Sequence, residues 1–172
     1  MIPLFTASSA TKVDQALFDV ESLCFAVTET AAVTNLAAAS QFLSELKARG
    51  IRIALDDVGA GVASFGYLKS LAVDYLKIDG QLVVGLSTKP IDMVSVKSFC
   101  KVVGVLGLQT VAEYAEDEAA LRLLDSLNVD MVQGYHLRMP EPLARVLSEA
   151  KTRRRCLATL RFQERLKGSS AG

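Results

Sequence analysis

The chain has 172 residues, of which 51% are hydrophobic and 22% charged, and its 19 basic residues balance its 19 acidic ones. This length suits one domain rather than two, and the high apolar content excludes disorder over most of the chain. The zero net charge argues against a dedicated nucleic-acid binder, because a basic excess is what displaces counterions from phosphates.

The ends and the cysteines narrow the class of protein further. The first ten residues lack the basic start and apolar run of a secretory signal, and no stretch reaches the roughly 18 apolar residues of a membrane span. We therefore expect a cytoplasmic protein without a membrane or nucleic-acid partner. Cys24, Cys100 and Cys156 are far apart and odd in number, which argues against a disulfide framework and a zinc site.

Helix and strand patterns alternate along most of the chain. Residues 1–20 predict a helical segment with a helix from about Ser9 to Phe18. Five short β-rich runs then predict the strands Leu23–Thr28, Arg52–Asp57, Val73–Asp79, Gln109–Glu113 and Met131–Tyr135. Helical patterns between them predict a helix capped by Thr34 and ended by Gly50, and the helices Ser64–Ser70, Asp92–Val105 and Asp117–Leu127.

Strands that alternate with helices predict an α/β fold, in which about five parallel strands are joined by right-handed crossovers. This domain spans residues 21–150, and residues 151–172 predict a basic C-terminal helix and tail. The basic run at Lys151–Arg155 is typical of a solvated helical face.

Ionisable or amide side chains recur where the predicted strands end. They are Glu29, Asp56 with Asp57, Lys77 with Asp79, Glu113 with Glu116, and Gln133. The carboxyl ends of parallel strands are where such folds bind ligands, so five strands with this feature favour a site over five independent caps.

The adjacent carboxylates of Asp56 and Asp57 repel each other unless a cation, a hydrogen bond or a proton offsets the repulsion. Two hypotheses stand equal for this pair, a divalent-metal site or an Asx-type turn that caps the next helix. Lys77 lies between the apolar Leu76 and Ile78 and points the other way in a strand. Such a lysine needs an anionic partner, either a phosphate or one of the two aspartates.

Taken together, these residues resemble the EAL family of cyclic di-GMP phosphodiesterases over roughly residues 20–145. The resemblance rests on the order and spacing of five segments, Leu55–Gly61, Tyr67–Lys69, Val73–Gly80, Val111–Glu113 and Gln133–Tyr135 with Pro140. It implies a partial TIM-barrel-like (β/α) fold and, in active members, two divalent metals that hydrolyse cyclic di-GMP to linear pGpG.

The resemblance also implies a role for each residue of the site. Asp56 and Asp57 would be metal ligands, and Lys77 would orient the attacking water or the phosphate. Glu113 would be a metal ligand or a base-side carboxylate. Glu116 and Gln133 would contact the ligand or support residues that do, and Glu29 would stabilise the loop after the aspartate pair. Two interpretations stand for Tyr135, a ring that contacts the ligand and an aromatic of the core or rim.

The chain departs from the family pattern at positions that matter for catalysis. We expect the family's first third, with two metal ligands, to be absent. A further metal-binding glutamate is replaced by Ala26, and a bulky Tyr114 stands where the family has glycine. We therefore predict a vestigial site that binds Mg²⁺ or Mn²⁺ weakly or not at all, and a chain that is degenerate and not an enzyme on its own.

The length is about a third short of a typical (β/α) barrel of about 250 residues, so five strands would leave strand edges open. Residues 1–20 could supply strands, a second copy could complete the core, or the C-terminal helices could cover the sheet. We favour self-association, because an open edge and an apolar face are self-complementary.

Three functions follow for a bacterial signal-transduction domain of this kind. The first is a degenerate domain that acts through protein contacts, and the second is a receptor that binds cyclic di-GMP without cleaving it. The third is an active phosphodiesterase whose missing segment is supplied elsewhere. Ala26 weighs against the third.

Overall fold

The computed structural model describes residues 23–59, 65–139, 141–142, 145 and 160–161. The chain divides into two compact units, Met1–Lys77 and Ile78–Gly172, and the boundary falls inside a strand. The helix predicted within residues 1–20 lies outside the described residues, as does most of the predicted segment 151–172. Within the part that is described, no helix is long and apolar enough to cross a membrane.

Strands and helices alternate in the first unit. Its described elements are β1 (Cys24–Thr28), α1 (Glu29–Thr34), α2 (Leu36–Ala48), β2 (Arg52–Val58), a 3-10 helix (Gly66–Ser70) and the start of β3 (Tyr75–Ile78). β1 and β2 are parallel, with Ala26 paired to Ala54 and Thr28 paired to Asp56. This arrangement confirms the predicted α/β class, in which a helical crossover joins parallel strands.

The core of the first unit lies between α2 and β2. Leu43 and Leu46 of α2 are fully buried, and so are Ile53 and Leu55 of β2. Ala54, which points to the opposite face of β2, is also buried. Burial on both faces is typical of a parallel strand inside an α/β fold. β1 differs from β2, since four of its five residues are exposed.

The start of α2 corrects one sequence prediction. Thr34 does not cap this helix but ends α1, where its Oγ1 donates to the carbonyl of Thr30 at 2.7 Å. The cap is Asn35, whose Oδ1 accepts from the amide of Ala38 at 3.2 Å. The prediction was wrong by one residue because both side chains are good caps and the short helix α1 has no periodicity to reveal it.

The end of α2 follows the prediction. Gly50 adopts a positive φ of 81°, which glycine tolerates without steric cost. The amide of Gly50 donates to the carbonyl of Lys47, and the amide of Ile51 donates to the carbonyl of Leu46. These two hydrogen bonds form a Schellman motif that ends the helix and turns the chain into β2.

The second unit repeats the alternation. Its described elements are α3 (Gly80–Gly85), α4 (Pro90–Leu106), β4 (Gln109–Ala112), α5 (Glu118–Ser126), β5 (Met131–Val132) and β6 (Leu160–Arg161). β4 and β5 are parallel, and β5 pairs with β6 in the antiparallel sense. The predicted stripe of α4 is its buried face, with Val96, Phe99 and Val103 in the core.

Two aspartates hold neighbouring strands at the ends where those strands begin. In the first unit, Asp74 accepts from the amide of Ile53 at 2.8 Å and pairs with Lys47 at 2.6 Å. In the second unit, Asp130 accepts from both the amide and the hydroxyl of Thr110, each at 2.8 Å. Each carboxylate thus ties the strand that follows it to its neighbour, at the edge opposite the predicted site residues.

Candidate functional site

The two aspartates lie at the carboxyl end of β2 but differ in their surroundings. Asp56 is half-buried, and its Oδ1 accepts from the amide of Asp57 at 3.2 Å. Asp57 is exposed and adopts a positive φ of 56°, and Gly59 follows with a φ of 104°. A positive φ is costly for a residue with a Cβ, so the turn presents Asp57 outward at the expense of backbone strain.

Lys77 forms an ion pair with Asp56. Leu76 and Ile78 are buried on one face of β3, and Lys77 extends from the other face. Its Nζ lies 2.7 Å from Oδ1 of Asp56, and both side chains are largely buried. Of the anionic partners that the sequence left open for this lysine, the structure shows Asp56. One carboxylate oxygen of Asp56 is therefore already engaged by a cation.

Ala26 lies on the same face of the sheet as Asp56. Paired residues of parallel strands point to the same side, and Thr28 is paired to Asp56, so Ala26 lies two residues further back on that face. Its methyl group offers no ligand atom. Thr28 carries the one side-chain oxygen that β1 places on this face. Its hydroxyl caps α1 by accepting from the amide of Ala31.

Glu29 connects the two sides of the loop that follows the aspartates. The carboxylate is 3% exposed, and its Oε2 accepts from the amide of Gly59 at 3.2 Å. Its Oε1 accepts from the hydroxyl of Tyr67. Burial and the neighbouring Glu29 carboxylate raise the pKa of Tyr67 well above its usual range. Glu29 thus fixes the residues on both sides of segment 60–64, which lies outside the described residues.

Sequence reasoning did not identify Tyr67 as the partner of Glu29. The two residues are 38 positions apart, and no local pattern relates them. The one available signal was the segment Tyr67–Lys69, which contributes to the family resemblance without indicating a contact.

In the second unit, the ends of two strands lie side by side. Glu113, at the end of β4, is half-buried, and its amide donates to the carbonyl of Ile78 at 3.4 Å. At the end of β5, the main-chain amide of Gln133 donates to the carbonyl of Ala112 at 2.8 Å, and its main-chain carbonyl accepts from the amide of Ala115 at 3.3 Å. The side chains of Gln133 and Glu116 are exposed to solvent.

β5 is shorter than predicted, because the chain turns directly after Gln133. A Cβ on Gly134 would lie 2.3 Å from the carbonyl oxygen of Ala115, so only glycine permits this close approach. The amide of Leu137 donates back to the carbonyl of Gly134. Tyr135 lies in this turn and is 64% exposed.

His136 and Tyr114 also lie at this edge of the second unit. His136 is exposed, and its Nε2 lies 3.8 Å from Glu118. Tyr114 has a φ of 53°, the region that glycine favours, and its ring lies against Gly80.

Each unit therefore offers a different part of the predicted site. The first unit carries Asp56, Asp57 and Lys77, and the second carries Glu113, Glu116, Gln133 and Tyr135. Carboxylate oxygens are the ligands that Mg²⁺ and Mn²⁺ prefer, and an exposed amide with an exposed tyrosine is suited to contact a polar aromatic ligand.

The chain is similar in sequence to proteins of one known family. The sequence profile of the EAL domain matches residues 3–140. The cyclic di-GMP phosphodiesterase PdeB of Shewanella oneidensis is 40% identical over 141 residues, which are 81% of this chain and 16% of that protein. The chain therefore spans about a sixth of the length of this relative.

Solved structures agree with the sequence match. A complex of the MucR phosphodiesterase with cyclic di-GMP aligns with a TM-score of 0.75 and 31% identity, covering 80% of this chain and 56% of that one. The EAL domain of Mycobacterium smegmatis DcpA aligns with a TM-score of 0.76 and 29% identity, covering 88% and 69%. The fold is therefore that of part of an EAL domain.

Proposed function

This chain belongs to the EAL-domain family, and we propose that it is a non-catalytic domain of cyclic di-GMP signalling that binds the nucleotide without cleaving it. The proposal has two parts, the loss of hydrolysis and the retention of nucleotide contacts. The first rests on the first unit of the chain, and the second rests on both units and on the nature of the related proteins.

The observation that carries the proposal is the methyl group of Ala26. Two-metal hydrolysis needs carboxylates that flank both ions and position a water between them. Ala26 occupies the face of β1 that is paired with the Asp56 face of β2, where a glutamate would place such a carboxylate. The Thr28 hydroxyl is engaged as a helix cap and does not replace it.

The two carboxylates that end β2 in the first unit fit a single cation better than a pair. Asp57 is exposed, whereas Asp56 already accepts from Lys77 and from the backbone through Oδ1. These two residues would hold one hydrated Mg²⁺ or Mn²⁺ weakly, because such ions keep most of their waters when few protein ligands are offered. The cation would supply charge neutralisation for a phosphate.

Nucleotide contact is supported by side chains that stay accessible. Gln133, Glu116 and Tyr135 are exposed in the second unit. Lys77 in the first unit is largely buried and paired with Asp56, and its charge has the sign that a phosphate requires. The MucR structure, which this chain resembles, is a complex with cyclic di-GMP. We assign Gln133, Glu116 and Tyr135 to ligand contact and regard Lys77 and Glu113 as vestigial catalytic residues.

The alternative function is hydrolysis of cyclic di-GMP to pGpG. It is favoured by the name of the Shewanella relative and by the presence of Asp56, Asp57, Lys77 and Glu113. A third function, action through protein contacts alone, would need no nucleotide.

A calorimetric titration of the full chain with cyclic di-GMP in Mg²⁺ tests the binding part. We expect saturable heat, and we expect Gln133→Ala to raise the Kd because its exposed amide is lost. Lys101→Ala, an exposed residue of α4, serves as the control and should leave the Kd unchanged. No heat at micromolar protein would contradict nucleotide binding and support action through protein contacts.

A further inference from the structure

Tyr114 is strained and exposed at the edge of the second unit. It follows the carboxyl end of β4 with a φ of 53°, and its side chain is 62% exposed. Glycine would adopt this backbone conformation freely, whereas an L-residue with a ring pays a steric cost for it. A strained residue that persists at such an edge points to a role for its side chain.

The main chain around Tyr114 is fixed on both sides. The amide of Glu113 donates to the carbonyl of Ile78, and the amide of Ala115 donates to the carbonyl of Gln133. The ring lies directly against Gly80, where an added Cβ would lie 2.2 Å from Cδ2 of the tyrosine. The ring is thus backed by main chain on one side and open to solvent on the other.

The ionisable residues close to Tyr114 and Gly80 in the sequence are acidic. Glu113 directly precedes Tyr114, Glu116 follows it by two residues, and Asp79 precedes Gly80. Carboxylates repel a phosphate, but they accept hydrogen bonds from a base edge that carries N–H donors. The N1–H and N2–H groups of guanine form such an edge, and flat bases stack on exposed aromatic rings.

We propose that Tyr114 is a base-stacking residue, on whose exposed ring face a guanine base of the bound nucleotide stacks. The inference rests on the proposed function, since it names a contact for the nucleotide that this function binds. Gly80 is the positioning residue, because the absence of a Cβ there leaves the space that the ring occupies. The competing possibility is that the ring only blocks the site.

Calorimetric titration of the full chain with cyclic di-GMP separates these possibilities through four variants. Tyr114→Gly removes the ring and relieves the positive φ, so the fold is retained. Gly80→Ala leaves the ring in place but displaces it. Tyr114→Phe keeps the ring and removes the hydroxyl. Gly104→Ala, where an added Cβ meets nothing within 4 Å, is the matched control for the second variant.

We expect Tyr114→Gly and Gly80→Ala each to raise the Kd about tenfold or more, as loss of a stacked aromatic does. Tyr114→Phe and Gly104→Ala should bind like the wild-type chain. Because the chain has no tryptophan, Tyr114→Trp would also add a single fluorophore that saturating nucleotide should quench.

Two results would overturn the inference in distinguishable ways. If Tyr114→Gly binds as tightly as the wild-type chain or more tightly, the ring is a block and the stacking role is wrong, while nucleotide binding itself stands. If neither the wild-type chain nor any variant binds, the proposed function fails and the stacking role fails with it.

Discussion

At the scale of single residues, two side chains determine what the first unit can contribute to a metal site. They are Ala26, which offers only a methyl group, and Glu29, which is a buried carboxylate. The Ala26 methyl group lies on the Asp56 face of the sheet, so β1 offers no carboxylate on that face. Glu29 is buried with two hydrogen-bond donors, Gly59 and Tyr67, and so fixes the turn that presents Asp57. We therefore propose that the site has kept its support and lost a ligand.

Restoring the carboxylate should restore part of the metal affinity. We expect Ala26→Glu to lower the Kd for Mn²⁺ roughly tenfold, because affinity for such cations rises with the number of charged oxygen ligands. Cys24→Glu is the matched control, since Cys24 lies on the same face of β1 but two residues further from Asp56. Calorimetric titration with Mn²⁺ measures both, and equal effects of the two substitutions would contradict the placement of Ala26.

The Tyr67 hydroxyl should ionise only when the chain unfolds. Burial, then the Glu29 carboxylate, raise its pKa above that of an unfolded tyrosine, which is about 10. The stability that this protonated hydroxyl contributes is complete below pH ~10 and is lost at higher pH, where the unfolded chain releases the proton first. Removing the hydroxyl also costs about 1.5 to 3 kcal/mol, since its hydrogen bond is to a charged group.

Alkaline titration followed by tyrosinate absorbance measures this. In the wild-type chain, the absorbance of one tyrosinate should appear only at the higher pH at which the chain unfolds. Tyr67→Phe should abolish this late increase in absorbance. Tyr75→Phe, which removes a hydroxyl that accepts from Arg52, is the control and should keep it. A late step that persists in Tyr67→Phe would show that another tyrosine is responsible.

At the scale of elements, the sequence predicted the periodic helices of the second unit well and missed two helices of six residues, although it did predict the short helix at Gly66–Ser70. α4 and α5 were predicted within two residues, because each carries several turns of an apolar stripe. α1 and α3 have six residues each, too few for a periodicity to be visible, and neither was predicted. The missed α1 is also why Thr34 was mistaken for the cap of α2.

In the candidate site, the sequence predicted what a local pattern reveals and missed a contact between distant segments. The need of Lys77 for an anionic partner followed from the alternation of β3 and from the cost of burying a lone charge, and the structure shows Asp56 as that partner. The contact of Glu29 with Tyr67 did not follow from such a pattern, because it forms only when distant segments pack. The strand-tying aspartates could have been found, since Val73-Asp74-Tyr75-Leu76 and Val129-Asp130-Met131-Val132 share one pattern.

The contact between Asp130 and Thr110 should be important for stability. Thr110 is 1% exposed, and both its amide and its hydroxyl donate to Asp130. We expect Asp130→Ala to lower the free energy of unfolding by about 1 to 3 kcal/mol, because it leaves a buried amide without an acceptor. Asp125→Ala, an exposed aspartate of α5, is the control and should change it by less than about 0.5 kcal/mol. Urea denaturation measures both, and equal effects would contradict a specific role for Asp130.

At the scale of the whole molecule, the chain covers only part of the length of the proteins that it resembles. It matches the EAL domain over residues 3–140, yet it spans 16% of the Shewanella phosphodiesterase and 56% of the MucR chain that it resembles. The activity of those whole proteins is therefore a proposal for this chain, and each of its two units contributes different residues to that proposal.

We propose that the chain self-associates through β1, whose residues are mostly exposed and include Phe25 at 43%. An exposed strand with an aromatic side chain favours pairing with a second copy. Sedimentation at high concentration should give a mass above 18.5 kDa, and Phe25→Glu should lower it. Val105→Glu, an exposed residue near the end of α4, is the control. A clean monomer for the wild-type chain would contradict self-association.

The central claim, that this EAL domain does not hydrolyse cyclic di-GMP, is tested most directly by chromatography of the nucleotide after incubation with the chain in Mg²⁺ or Mn²⁺. Asp56→Asn, which removes a carboxylate from the aspartate pair, provides the background. We predict that the wild-type chain produces no pGpG above this background, because Ala26 offers no ligand for a second ion. Production of pGpG above the Asp56→Asn background would contradict the account and establish the chain as a phosphodiesterase.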